Sequence, residues 1–144
     1  MTDSDNLPGG GIHTNRAPAP VGAYPHARRV GDLLFLSGVG PRKPGTKDIP
    51  GVTLDADGNI AAYDIEAQCR SVFENVRIIL EDAGSHWDKI VDCTVYLTNM
   101  KDDFPAFNRL YAEHFKTNQP TRTTMEIGAL PTPIAVELKV IATV

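Results

Sequence analysis

Two charged side chains stand out in the last quarter of this 144-residue chain: Arg122, within "PTRTTMEI", and Glu137, within "AVELKVIA". A guanidinium stays charged at any working pH and presents a planar fork that matches a carboxylate in two parallel hydrogen bonds. At the entrance of a strand, Arg122 could hold an acidic small molecule, or it could pair with a surface Asp or Glu. Glu137 alternates with apolar Val136, Leu138 and Val140, so it projects to the other face of its strand, together with Lys139. There it either meets a cleft, where a carboxylate can orient or deprotonate a water, or it stands outward beside Lys139. Whether the two charges face each other across one site is the first question the sequence raises.

Other side chains could join them. Ser37 ends the apolar run "LLFLS" just before Gly38, where a hydroxyl and backbone groups can meet a ligand. No nucleophile-elbow pattern surrounds it, which disfavours a serine hydrolase. Tyr24 follows the flexible "APAPVGA" and either reaches a pocket or packs the arm that carries it. Asn108 falls in the middle of a helical stretch, an unfavourable place for its residue type, so it either donates to a loop or faces solvent. Cys69 and Cys93 occupy apolar faces and read as packing residues. The four histidines, His13, His26, His86 and His114, lack the spacing of a zinc site, so neither metal nor cofactor is expected.

The elements that must position these groups follow from pattern. Residues 1–24, without periodicity, read as an irregular arm ahead of a single domain over 25–144. Strands are expected at 27–30 and 33–37 around a Gly31-Asp32 turn, then a long loop from Val39 to Gly58. Asp64 reads as the cap of a helix to Ala83, with Ile65, Cys69, Val72, Phe73, Val76, Ile79, Leu80 and Ala83 forming one apolar stripe and Gly84 ending it. "IVDCTVYL" alternates as a half-buried strand. A second helix is expected from about 102–104, with Pro105 in its first turn, and two last strands at 123–127 and 135–144. The order β-β-α-β-α-β-β predicts an α+β fold, a mixed sheet with both helices on one face.

Composition excludes several classes. With 42% hydrophobic and 22% charged residues the chain reads as an ordinary soluble domain. It carries no apolar run of membrane-spanning length, and "MTDSDNLPGGG" lacks the basic start and apolar core of a secretion signal, so a cytoplasmic location is expected. A net charge of −4 without a basic stripe makes nucleic acid and membrane surfaces poor partners.

Taken together, "APAPVGAY", "LLFLSG", "FENVRIILEDAG", "VDCTVYLTNMKDDFPAFNRLY", "PTRTTMEI" and "LPTPIAVELKVIA" resemble the RidA/YjgF superfamily, in order and from about residue 17 onward. Pro120, Arg122, Leu130, Pro131 and Glu137 match its C-terminal signature without a gap. The resemblance implies a chorismate-mutase-like α+β subunit, a homotrimer that could pair into a hexamer, clefts between neighbouring subunits, and cofactor-free hydrolysis of 2-imino or enamine acids to 2-oxo acids and ammonia. It implies that Arg122 clasps the substrate carboxylate, that Glu137 positions the attacking water, and that Tyr24, Ser37 and Asn108 line the pocket. Thr124 stands where the family often has cysteine, and Val39 where it commonly has glutamine, which implies a differently shaped pocket. The arm "NLPGGGIHTNRAPAPVGAYPHARRVG" and the loop "GVGPRKPGTKDIPGV" resemble a branch acting on an enamine diacid of aromatic catabolism. A small dicarboxylate is then the expected partner, and its far carboxylate asks for a second cation: Arg16 or His26 on the arm, Arg42 or Lys43 on the loop.

Overall fold

A computed structural model describes residues 10–144; the first nine residues of the expected arm lie outside the described residues. The strands are β1 (Gly11–Ile12), β2 (Ala27–Val30), β3 (Leu33–Leu36), β4 (Val52–Leu54), β5 (Ile60–Tyr63), β6 (Ile90–Leu97), β7 (Thr121–Glu126) and β8 (Val136–Thr143). The helices are α1 (Ile65–Asp82) and α2 (Met100–His114). Six strands form one sheet in the order β1-β2-β3-β8-β6-β7, and β4 and β5 form a separate hairpin. All pairings in the large sheet are antiparallel except β6 with β7, which α2 joins as a crossover.

Local chemistry explains the two helices. The Asp64 carboxylate caps α1, accepting from the Glu66 and Ala67 amides at 3.0 and 3.3 Å. Beyond its last turn Gly84 takes φ +82°, a conformation that favours glycine. The apolar stripe of α1 and the side chains of Phe107 and Leu110 from α2 pack on Leu34, Leu36, Cys93, Val95, Leu138 and Val140 of the sheet. Leu34, Leu36, Leu80, Val95 and Leu138 are fully buried. Each contributes about 1.5–3 kcal/mol by leaving water.

The structure bears out the α+β layering and corrects several boundaries. α2 begins at Met100, ahead of the expected 102–104, because Asn99 rather than a later aspartate is the cap, accepting from the Asp102 amide at 3.1 Å. Pro105 therefore lies in the second turn, where its missing N–H leaves the Lys101 carbonyl on the exposed side. The expected 39–58 loop is shorter in effect: 52–54 and 60–63 pair as the β4–β5 hairpin, with a register shift at Thr53/Leu54. The Tyr63 hydroxyl fastens this hairpin to α2 by donating to Asp103 at 2.6 Å. The arm is likewise less irregular than expected, since Gly11 and Ile12 add β1 to the edge of β2.

Helices cover one face of the sheet and leave the other bare. That bare face carries Phe35 opposite Ile141, Thr94 opposite Lys139, and Tyr96 between Glu137 and Met125. Leu33 and Met125 at its margins are each 40% exposed. No helix is long and apolar enough to cross a membrane among the described residues.

Candidate active site

Glu137 lies in a cleft between the end of β3, the start of β8 and the returning arm. After β3 the chain passes through Ser37 and Gly38, and Val39 then bridges to β8: the Val39 amide donates to Leu138 at 2.7 Å and the Leu138 amide donates back at 3.0 Å. This bridge brings the Gly38 backbone against the Glu137 side chain. A Cβ at position 38 would lie 2.8 Å from the Glu137 carboxyl carbon, so only glycine leaves the carboxylate where it is. Glu137 is half-buried, and burial alone pushes its carboxyl above the usual carboxylate range; no donor or cation of the described residues offsets that. An unpaired, partly desolvated carboxylate lining a cleft has the properties of a general base.

The arm supplies the opposite wall. The Ser37 amide donates to the His26 carbonyl at 3.0 Å, and its hydroxyl donates to the Pro25 carbonyl at 2.8 Å. The Tyr24 hydroxyl accepts from the Val21 amide at 3.3 Å, so its own proton is free for the cleft. Tyr24, Ser37 and Glu137 line the same space, about 610 Å³ including its open mouth, together with His26, Arg42 and Ile134.

Arg122 lies elsewhere. Cys93 on β6 pairs with Arg122 on one side and Val140 on the other, whereas Tyr96 pairs with Met125 and Glu137. Alternation thus puts Arg122 and Thr124 on the helix-covered face and Glu137 on the bare one. Within one chain the two charges do not share a cleft. The Arg122 guanidinium carbon is 4.6 Å from the Tyr111 ring centre, 5.7 Å from that of Phe104 and 5.9 Å from that of Phe107, all on α2. Arg122 takes part in none of the ion pairs among the described residues. Beside it, the Tyr111 and Thr124 hydroxyls are buried without a hydrogen-bond partner among the described residues. Burial, and the Cys93 thiol next to it, hold the Tyr111 phenol above its ordinary range. Asn108 is exposed on the row of α2 that carries Phe104 and Tyr111, four residues before and three after it.

The sequence-derived candidates therefore sort into two groups. Tyr24, Ser37 and Glu137 meet in the cleft, while Arg122, Thr124 and Asn108 gather at α2 and β7. Two arm residues are committed to other duties. Arg16 is held by Asp82 at 2.9 Å, outside the cleft lining, with Glu81 beside it. His26 borders the cleft, yet Nδ1 accepts from the Thr14 amide at 3.2 Å and Nε2 lies 2.7 Å from the Pro18 carbonyl. Both ring nitrogens are thus spent on tying the arm, and burial keeps the imidazole below its ordinary pKa, in the neutral form that this pairing needs.

Pattern reading missed Gly38, Tyr111 and the two phenylalanines that flank Arg122. The alternation of β6 and the spacing 104, 107, 111 on α2 carried that signal only once strand register was known. The thiols of Cys69 and Cys93 are buried and pushed up to about 12 and about 11, which suits packing rather than nucleophilic attack. No group of three His, Cys, Asp or Glu among the described residues is placed to hold a metal ion.

A family model described as endoribonuclease L-PSP matches residues 14–144. The chain is 37% identical over 131 residues to the RutC family protein PH0854 of Pyrococcus horikoshii, covering 91% of this chain and 94% of that protein. Among solved structures it is similar to RidA of the Antarctic bacterium Psychrobacter, with a TM-score of 0.78, 30% identity, and 92% and 97% of the two chains covered. It is also similar to E. coli TdcF with bound serine, with a TM-score of 0.79, 31% identity, and 93% and 98% covered.

Proposed function

The chain belongs to the endoribonuclease L-PSP family, which includes the RidA and YjgF proteins, and on that footing we propose that it is a cofactor-independent hydrolase that deaminates an enamine or imine acid. The observation that carries this reading is Glu137, a half-buried carboxylate with no partner among the described residues, lining a cleft with Tyr24 and Ser37. Within this activity we assign 2-aminomuconate as substrate and 4-oxalocrotonate as product, since the arm and the 39–52 loop resemble the branch of the family that acts on it. A relative holding serine supports the pattern recognised, a carboxylate beside a nitrogen-bearing carbon.

The enamine takes up a proton at carbon and becomes the 2-iminium, making C2 electrophilic. Water adds to C2 while Glu137 takes its proton, and the C=N electron pair passes to nitrogen. The carbinolamine nitrogen is protonated, by Glu137 or by the Tyr24 hydroxyl relayed through water; the C–N bond breaks and ammonia leaves. Loss of the hydroxyl proton yields the 2-oxo acid.

The proposal needs Arg122 at the carboxylate beside C2, and one chain does not provide that. We therefore assign the active form to a homotrimer in which α2 and β7 of one subunit close the Glu137 cleft of its neighbour. Two features support it: a bare sheet face with Phe35, Ile141 and Met125, and an Arg122 cluster whose hydroxyls lack partners among the described residues. An RNA substrate would ask for a row of cations, whereas the cleft lining holds one arginine and no lysine.

The test is ammonia release from 2-aminomuconate by the purified protein, followed over pH. Activity should fall on the acid side, with an apparent pKa above the usual carboxylate value as Glu137 takes up its proton. No release from this diacid or from any 2-imino monoacid overturns the deaminase reading. Release from monoacids alone leaves the general activity and removes the diacid assignment.

A further inference from the structure

We propose that Arg42 reads the far carboxylate of a dicarboxylic ligand whose other end lies at Glu137. This deepens the deaminase reading and rests on it for the orientation of the ligand.

Four cations of the arm and loop were open to this role on sequence grounds, and geometry separates them. Arg16 is neutralised by Asp82. Both nitrogens of His26 are engaged with the arm backbone. Lys43 is exposed and borders a different depression, with Lys47, Asp48 and Ile49. Arg42 alone of the four lines the Glu137 cleft with donors to spare, and it takes part in none of the ion pairs among the described residues. Among the described residues its guanidinium donates once, to the Ala19 carbonyl at 2.6 Å. Four of its five N–H groups remain for a ligand.

Its place is also built rather than incidental. Three consecutive carbonyls hold the loop to α1: the Asn75 amide donates to Gly40 and to Arg42, each at 2.9 Å, and the Ser71 hydroxyl donates to Pro41 at 2.7 Å. Asn75 is 3% exposed and Pro41 is buried, so the backbone beneath Arg42 is fixed from below. A fork on a pinned backbone loses little freedom on binding a carboxylate. Arg42 and Glu137 share the cleft without pairing, which leaves room for a ligand with an acid at one end and the reacting carbon at the other. A monoacid would leave the Arg42 fork unused, and that asymmetry is the source of selectivity.

Binding can be read without turnover, using a saturated six-carbon 2-oxo diacid and the 2-oxo monoacid of the same length. Calorimetry on the wild-type protein should show the diacid bound about 10- to 100-fold more tightly, the range for a charge-assisted pair. In Arg42→Met this ratio should collapse to within about threefold, and Arg42→Lys should retain an intermediate ratio because it keeps the charge and loses the fork. Melting curves of both variants report whether the loop is intact. Equal binding of the two acids to wild type, no binding of either, or an unchanged ratio in Arg42→Met each overturn the proposal. Failure of wild-type deamination together with an intact binding ratio would overturn the activity and leave Arg42 as a diacid reader.

Discussion

Glu137 and Arg122 are each partly buried and each lack a counter-ion among the described residues, but their surroundings treat charge in opposite ways. Glu137 faces glycine backbone and the arm, and burial works against its charged form. Arg122 lies among the rings of Phe104, Phe107 and Tyr111, whose faces favour a cation. The first surrounding makes a base ready to take a proton; the second makes a permanent positive charge with a free edge. Elsewhere the same chain pairs its charges: Arg16 with Asp82, Arg77 with Glu74 and Glu81, and Arg109 with Glu66. Glu137 and Arg122 instead combine partial burial with the lack of such a partner, which is where function rather than stability sets the residue type.

The largest effect should come from breaking each half separately. Glu137→Gln removes the base and should lower turnover by about 100- to 10,000-fold with the fold unchanged. Arg122→Ala should be comparably inactive on the same substrate. Mixing the two dead variants after unfolding and refolding together is the decisive comparison. If the halves come from neighbouring subunits, about a quarter of the clefts in a one-to-one mixture regain both residues, as a head-to-tail ring requires. No recovery at all would place both residues in one chain's site and break the comparison.

A smaller effect sharpens the Glu137 side. Gly38→Ala places a methyl group 2.8 Å from the Glu137 carboxyl carbon, and the flexible end of that side chain must move aside. Turnover should fall about 10- to 100-fold with little change in melting temperature, because the displaced group is catalytic rather than part of the core. A loss of stability with normal turnover per folded molecule would contradict the role assigned to Glu137.

The smallest concerns the arm that walls the cleft. Burial lowers the His26 pKa in the folded protein, so the unfolded chain binds the proton more readily. The stability tied to neutral His26 is present above the unfolded value of about 6.5 and is lost as pH falls below it. Protonated Nδ1 cannot accept from Thr14, so the protection factor of the Thr14 amide should fall as pH drops through the lowered folded value while amides of β6 keep their protection. Uniform protection of Thr14 across this range would remove His26 from the role of arm tie.

Much of the scaffold was legible before any coordinates. α1 is specified locally by the Asp64 cap, the apolar stripe and Gly84, and β6 and β8 by simple alternation, which also separates Glu137 from Val136 and Leu138. The family resemblance named Arg122 and Glu137 and implied that clefts lie between subunits. The β4–β5 hairpin escaped because its strands are only three and four residues long and their burial is slight. The start of α2 escaped because its cap is Asn99, three residues ahead of Asp102, whose amide it accepts from.

Residue types and short-range periodicity are enough to choose helix or strand and to say which face of an element is apolar, since those depend on neighbours within a turn or a pleat. Only the tertiary structure decided that Arg122 and Glu137 project to opposite faces, because the α2 crossover sets the parallel register of β6 and β7 over a distance no local pattern encodes. Tertiary contacts likewise decided that His26 is spent, that Arg16 is neutralised, and that Arg42 stands in the cleft. Each of those outcomes turns on a partner far away in the chain or on another element: the carbonyl of Pro18, the carboxylate of Asp82, the amide of Asn75.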